Sequence, residues 1–208
     1  MLPYYRTSAD DYLEALREDT QDPNASFWAV FLIDDFTGSG YTLLRQDVDS
    51  DTGETSLKGS LQRVYAQHTA VIEGARAVYL CEYVATSAAI ERVRAMVGKA
   101  PHYSSKFDVL CPLLLPADVS ITPATADIDP RNSATVSLCE RYYDPSFENH
   151  NTRKGGGIQF GYGNQGLPLV LYSNAPNNSL FIIWLNTKAD ADPPFTSLFT
   201  RIDRHKPV

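Results

Sequence analysis

The chain has 208 residues, 43% of them apolar, and a net charge of −7. That length supplies one full-sized core, and that composition argues against wholesale disorder. No apolar run approaches the 18 or more residues of a membrane span, and Met1 is followed by Leu-Pro-Tyr-Tyr-Arg, so no secretory signal is expected. Three widely spaced cysteines, Cys81, Cys111 and Cys139, form no CxxC pair, which speaks against a disulfide framework, and neither zinc nor haem is expected. His68, His102, His150 and His205 share no metal-binding spacing. A reduced, cytoplasmic protein with buried thiols is the simple reading. The acidic balance disfavours direct binding of duplex DNA over a large surface. The basic groups Arg153-Lys154 and Arg201, Arg204, His205, Lys206 read first as solvated surface.

In chain order, Ser8-Ala-Asp-Asp11 opens a capped helix whose apolar face is Tyr12, Leu13 and Leu16. Gln21 to Ser26 is a polar loop. Phe27 to Ile33 is an unbroken apolar run of seven residues, predicted as a strand buried on both faces. Asp34 to Tyr41 is a glycine-containing turn, Thr42-Leu-Leu-Arg-Gln is predicted to begin a helix, and Gln46 to Ser60 is an exposed polar excursion. Leu61 to Ile72 has helical spacing, Arg76 to Ala85 is a strand, and Ser87 to Val97 is a helix ended by Gly98. Phe107 to Leu115 is a further apolar run stopped by Pro116, and Asn132 to Tyr143 is a helix. Leu167 to Tyr172 and Leu180 to Trp184 are strand candidates around a turn-rich segment. The last 20 or so residues are predicted as a short helix and a tail. Strands alternating with helices predict an α/β fold with a mainly parallel sheet flanked by helices. The organisation expected is an N-terminal helix and loop over 1–26, one α/β domain over 27–190 and a C-terminal tail over 191–208.

The informative segment is Phe31-Leu-Ile-Asp-Asp-Phe-Thr-Gly-Ser-Gly-Tyr-Thr42. A strand runs into two adjacent acids, whose side chains diverge because a strand alternates its faces. Gly38-Ser-Gly40 permits a tight turn and close backbone approach to a ligand. A helix start at Thr42 would add N–H donors and partial positive charge, which suits phosphate. No Gly-Lys-Ser/Thr follows the glycines, so the pattern is not a Walker loop.

These residues resemble the PRPP-binding loop of the type I phosphoribosyltransferases: apolar residues, two acids (Asp34, Asp35), three variable positions (Phe36-Thr37-Gly38), then Ser39-Gly40-Tyr41-Thr42. The resemblance implies that Asp34 and Asp35 are the catalytic acids, contacting the ribose hydroxyls directly or through Mg²⁺ bound with the ligand. It implies that Thr37, Gly38, Ser39, Gly40, Tyr41 and Thr42 wrap the 5-phosphate. Only 33 residues precede Asp34 and they contain no glycine, so the N-terminal part of the phosphoribosyltransferase-like fold reads as reduced. Gly155 to Gly166, the strand candidate after it, Asn174-Ala-Pro-Asn-Asn-Ser179 and the run ending in Trp184 together are similar to the phosphoribosyltransferase-like proteins of bacterial conflict systems, some of them retron effectors. Asn174, Asn177 and Asn178 offer amides that could read a base edge, or are ordinary turn formers. Arg153 and Lys154 are the other second-site candidates, and Trp184 reads as a core residue.

Three functions stay open on these grounds. One, which the resemblance implies, is an effector component of a bacterial antiphage (retron-type) defence system that binds PRPP or a ribose 5-phosphate nucleotide, as a glycosyl-transferring or glycosidic-bond-cleaving enzyme. Another is a non-catalytic sensing or structural subunit completed by a partner chain, with a reverse transcriptase and its RNA–DNA product as implied partners, in a homo- or hetero-oligomer. The third is a nucleotide-salvage transferase. Gly40→Val is expected to abolish ligand binding and leave the fold intact.

Overall fold

The computed structural model describes residues 8–49, 51–100, 103, 106–154, 156–172, 175–186 and 194–199. The chain divides after Leu115 into two compact units, Met1–Leu115 and Pro116–Val208.

The first unit opens with α1 (Ala9–Thr20). Ser8 and Asp11 form a reciprocal capping box, and Gln21 ends the helix in the left-handed conformation. A cap of this kind contributes about 1 kcal/mol. Leu13 and Ala15 are buried while Tyr12 is exposed. Asp10 of α1 meets His68, whose Nδ1 lies 2.6 Å from its Oδ2.

The sheet is parallel throughout. β1 (Ala29–Thr37) pairs β4 (Ala77–Thr86), and β4 pairs both β5 (Phe107–Leu110) and β6 (Leu113–Leu115). The predicted run Phe107 to Leu115 is thus one lane broken at Cys111-Pro112. Between β1 and β4 come the antiparallel hairpin β2 (Arg45–Val48) and β3 (Thr55–Lys58), then α2 (Ser60–Gln67) and α3 (Thr69–Gly74). The predicted single helix Leu61 to Ile72 is two, parted at His68 (φ −127°, ψ 40°). α4 (Ser87–Lys99) follows β4 directly and runs on through Gly98, where a side chain would meet open space and a glycine is tolerated near the helix end. One face of the sheet carries the core: Val78 and Leu80 of β4 and Val109 of β5 pack with Ile90, Val93 and Val97 of α4, and with Leu61 and Ile72.

Two expectations fail here for physical reasons. The first apolar run is not buried on both faces. Among the described residues β1 is an edge strand paired only with β4, and Phe31 and Ile33 on its second face are exposed. An unbroken apolar run reports hydrophobicity, not the number of layers that cover it. Nor does a helix begin at Thr42. Tyr41 to Leu43 continue the turn, and Arg45 to Val48 pair as a strand with Thr55 to Lys58. The helix starts only at Ser60, where the Ser60 and Leu61 amides donate to the Thr42 and Leu43 carbonyls. The polar excursion is therefore a hairpin inserted between turn and helix. Gly59 closes it at φ +129°, where a Cβ would stand 2.2 Å from the Leu43 carbonyl oxygen.

The second unit is built around α5 (Pro130–Tyr142), capped by the Asp129 carboxylate and started by Pro130. α6 (His150–Lys154) and the single-turn α7 (Phe181–Trp184) follow. Val136 and Cys139 of α5 pack with Phe160, Leu180, Phe181 and Ile183. The strand candidates Leu167 to Tyr172 and Leu180 to Trp184 are not strands. Leu167 makes one isolated bridge to Ser179, and Phe181–Trp184 is helical. Trp184 is a core residue, its indole N–H donating to the Ser179 carbonyl. Of the predicted C-terminal helix and tail, 194–199 are described and carry no helix, and the rest lies outside the described residues. No helix among the described residues is long and apolar enough to cross a membrane.

Candidate functional site

Strand alternation and register place the two acids. Asp34 is the register partner of Glu82 on β4, and Leu32 and Phe36 on its face partner Leu80 and Val84. Partners on adjacent strands share a face, so Asp34 lies on the core side beside Glu82. Asp35 lies on the opposite side with Phe31 and Ile33. The acids diverge as expected, but they sit inside β1, which continues to Thr37. Both are exposed, and the Asp34 carboxylate accepts from the Asp35 amide at 3.0 Å.

The segment Thr37 to Thr42 forms a compact turn over the start of α4. Thr37, Gly38, Ser39 and Gly40 are buried, whereas Tyr41 and Thr42 are exposed. The Thr37 hydroxyl accepts from the Gly40 amide at 3.2 Å, and the Ser39 hydroxyl accepts from the Tyr41 amide at 3.4 Å. Thr86 anchors the turn from below. Its hydroxyl donates to the Gly38 carbonyl at 2.6 Å and accepts from the Ala89 amide at 3.1 Å, so one side chain caps α4 and fixes the turn. Arg92 on α4 grips it a second time. Its guanidinium donates to the Ser39 carbonyl at 2.7 Å and lies 4.2 Å from the centre of the Tyr41 ring.

Gly40 is required by this packing. It holds φ +74°, and a Cβ there would meet the Ala89 carbonyl oxygen at 3.0 Å and Val93 Cγ2 at 3.1 Å. The expectation that Gly40→Val spares the fold is therefore corrected. A β-branched side chain at this positive φ, pressed on α4, should lower unfolding stability by about 2–4 kcal/mol. Urea unfolding reads this out, and an unchanged midpoint would contradict the packing.

The electrostatics centre on Glu82. It is completely buried, and among the described residues neither carboxylate oxygen has a hydrogen-bond partner. Burial, then the charges of Asp34 and Asp35, push its carboxyl up to about 8. Asp34, exposed as a residue but with its carboxyl partly screened from solvent, is also raised, by that desolvation first, against the lowering hydrogen bond from the Asp35 amide and with the added repulsion of Asp35. Among the described residues no cluster of three or more His, Cys, Asp or Glu is placed to hold a metal ion.

The second-site candidates lie in the other unit. Asn178 has a structural job: its amide donates to the Tyr162 carbonyl at 3.0 Å, and its own carbonyl would collide with any Cβ at Gly161. The Asn177 carbonyl accepts from the Tyr162 amide at 2.7 Å. Asn174 lies outside the described residues. Arg153 is exposed and its Nε sits 3.6 Å from Glu148, while Lys154 ends α6. Glu148 accepts from the Tyr143 hydroxyl at 2.5 Å. Both line a cleft of about 410 Å³ with Gly156, Gly157, Gln159 and Asn164. Sequence reasoning missed this cleft, and it also missed Thr86, Arg92 and the role of Glu82. Thr86 alone had a local signal, as a cap residue at a strand–helix junction.

A parallel sheet, a strand carrying paired acids and a glycine turn seated on the helix that follows the neighbouring strand describe a phosphoribosyltransferase-like protein. The chain belongs to the PRTase-CE family, whose model matches residues 6–201. No curated protein and no solved structure matches it.

Proposed function

We propose that this protein binds PRPP or a nucleotide bearing ribose 5-phosphate at the turn Thr37 to Thr42, and that it serves as the effector component of a bacterial retron-type antiphage system. The observation that carries the binding reading is the intact Asp34-Asp35 and Ser39-Gly40-Tyr41-Thr42 set, held rigid by Thr86 and Arg92. In this reading the exposed turn end at Tyr41 and Thr42 meets the 5-phosphate, with Thr37, Gly38, Ser39 and Gly40 shaping the backbone behind it. Asp34 and Asp35 meet the sugar hydroxyls. A turn already ordered gives up little conformational freedom on binding, which favours affinity.

Mg²⁺ fits these donors in one way. Asp34 and Asp35 face apart and cannot close on one ion, and no protein cage stands nearby among the described residues. Mg²⁺ keeps several waters and is commonly held by one or two carboxylates together with substrate phosphates. It would therefore arrive with the ligand, neutralising phosphate charge beside the two aspartates.

One feature favours sensing over group transfer. The Gly40 and Tyr41 amides are taken by the turn's own hydroxyls, so the turn is stable without a ligand and opens part of its donor set only when one displaces those bonds. The partners in this reading are a reverse transcriptase and its RNA–DNA product, in the cytoplasm. Turnover of PRPP and of nucleotides, with and without Mg²⁺, separates the two roles. Binding without turnover supports the sensor, and turnover abolished in Asp35→Asn supports the enzyme. Co-purification with no retron component from the native host would contradict the effector assignment.

A further inference from the structure

Parallel sheets are normally covered on both faces, yet among the described residues the second face of this one keeps large apolar side chains exposed around the half-buried Tyr79 and Cys81. Register puts Phe31 and Ile33 of β1, Tyr79, Cys81 and Tyr83 of β4, and Leu110 of β5 on that face. Phe31 and Tyr79 stack with ring centres 5.0 Å apart. Phe31, Ile33, Tyr83 and Leu110 are 56, 64, 60 and 40% exposed. The only charges that register adds to the face are Asp35 and Asp108, both exposed.

From this we infer that the open face is a docking site for one amphipathic helix of a partner protein, with an apolar stripe flanked by lysine or arginine. Three observations select that occupant. The first is width: three lanes at about 4.8 Å spacing span about 10 Å, the diameter of a single helix. The second is area. With about 150–250 Å² per aromatic side chain, the exposed parts leave roughly 400 Å² of apolar surface. That is a functional-sized patch, but about half of the roughly 800 Å² per partner that a stable protein dimer buries. The third is charge. Asp35 and Asp108 at the margins, on a chain of net −7, repel a second copy and attract a basic flank. A helix laid on an apolar surface through such anchors is a common recognition mode.

The test uses the full chain and two labelled synthetic helical peptides of about 18 residues, each with the same leucine stripe and flanked by lysine in one and glutamate in the other. Fluorescence anisotropy should show saturable binding of the lysine peptide and at least tenfold weaker binding of the glutamate peptide. Ile33→Asp and, separately, Tyr83→Asp should each weaken the lysine peptide at least tenfold, with thermal unfolding checked by circular dichroism. Both substitutions add negative charge, so mere electrostatic attraction would strengthen binding. Unchanged or tighter binding in both variants overturns the inference. So does a dimer of the wild-type chain, seen by sedimentation, that Ile33→Asp dissociates.

Discussion

Replacing Glu82 with Gln should remove most of the pH dependence of this protein's stability between pH 5 and 8.5. In the unfolded chain the carboxyl titrates near its ordinary value of 4.5, whereas in the folded protein burial and the neighbouring acids push it up to about 8. Between these values the folded state holds a proton that the unfolded state has released. The stability linked to Glu82 is therefore complete below about pH 4.5 and is lost as the pH climbs through about 8. At about 1.4 kcal/mol per pH unit, the ceiling on that loss is about 5 kcal/mol. Relaxation around the charged form reduces this to a few kcal/mol. Asp34, raised in the same direction, adds a smaller slope that survives in the variant. Urea midpoints measured at pH 5.5 and 8.5 should fall steeply in the wild-type chain and only slightly in Glu82→Gln. Parallel slopes would mean that Glu82 is charged and partnered in solution.

The second large effect concerns Thr86. Thr86→Val keeps the shape and deletes the hydroxyl that donates to the Gly38 carbonyl and caps α4. Loss of the cap costs about 1 kcal/mol, and a buried carbonyl left without its donor costs about 1–3 kcal/mol more. The expected sum is about 2–4 kcal/mol of stability, together with at least a tenfold loss of affinity for PRPP because the turn is no longer fixed. Thr86→Ser restores the hydroxyl and should recover most of both. A Thr86→Val chain with normal stability and normal ligand affinity would show that the junction does not organise the turn.

Much of the frame was legible in the residues. Ser8 and Asp11 announced their helix through cap chemistry, and Arg76 to Ala85 announced β4 through its β-branched and aromatic run. The glycines after Thr37 marked a turn, and one is found over Gly38 to Leu43, but the acids expected to open it stand inside the strand, which runs on to Thr37. Other features depend on partners distant in sequence. The hairpin Arg45 to Lys58 is polar, carries only Val48 and Leu57 as apolar members of its strands, and gives no strand signal before its two arms meet. Glu82 is one acid among many until register sets it beside Asp34. Leu167 to Tyr172 and Leu180 to Trp184 are short apolar runs, a length at which a strand and a buried helical turn look alike. The open face of β1 was hidden for a related reason, since apolarity alone does not say which neighbours exist.

The central claim is that the turn Thr37 to Thr42 receives a sugar-linked phosphate while Asp34 and Asp35 hold the sugar. Isothermal titration of the full chain with PRPP and Mg²⁺ addresses it most directly. The account predicts saturable binding at one site per chain, weakened at least tenfold in Asp35→Asn, a substitution at an exposed position that should leave the fold intact. No heat of binding in the wild-type chain, or equal affinity in wild type and Asp35→Asn, would contradict it.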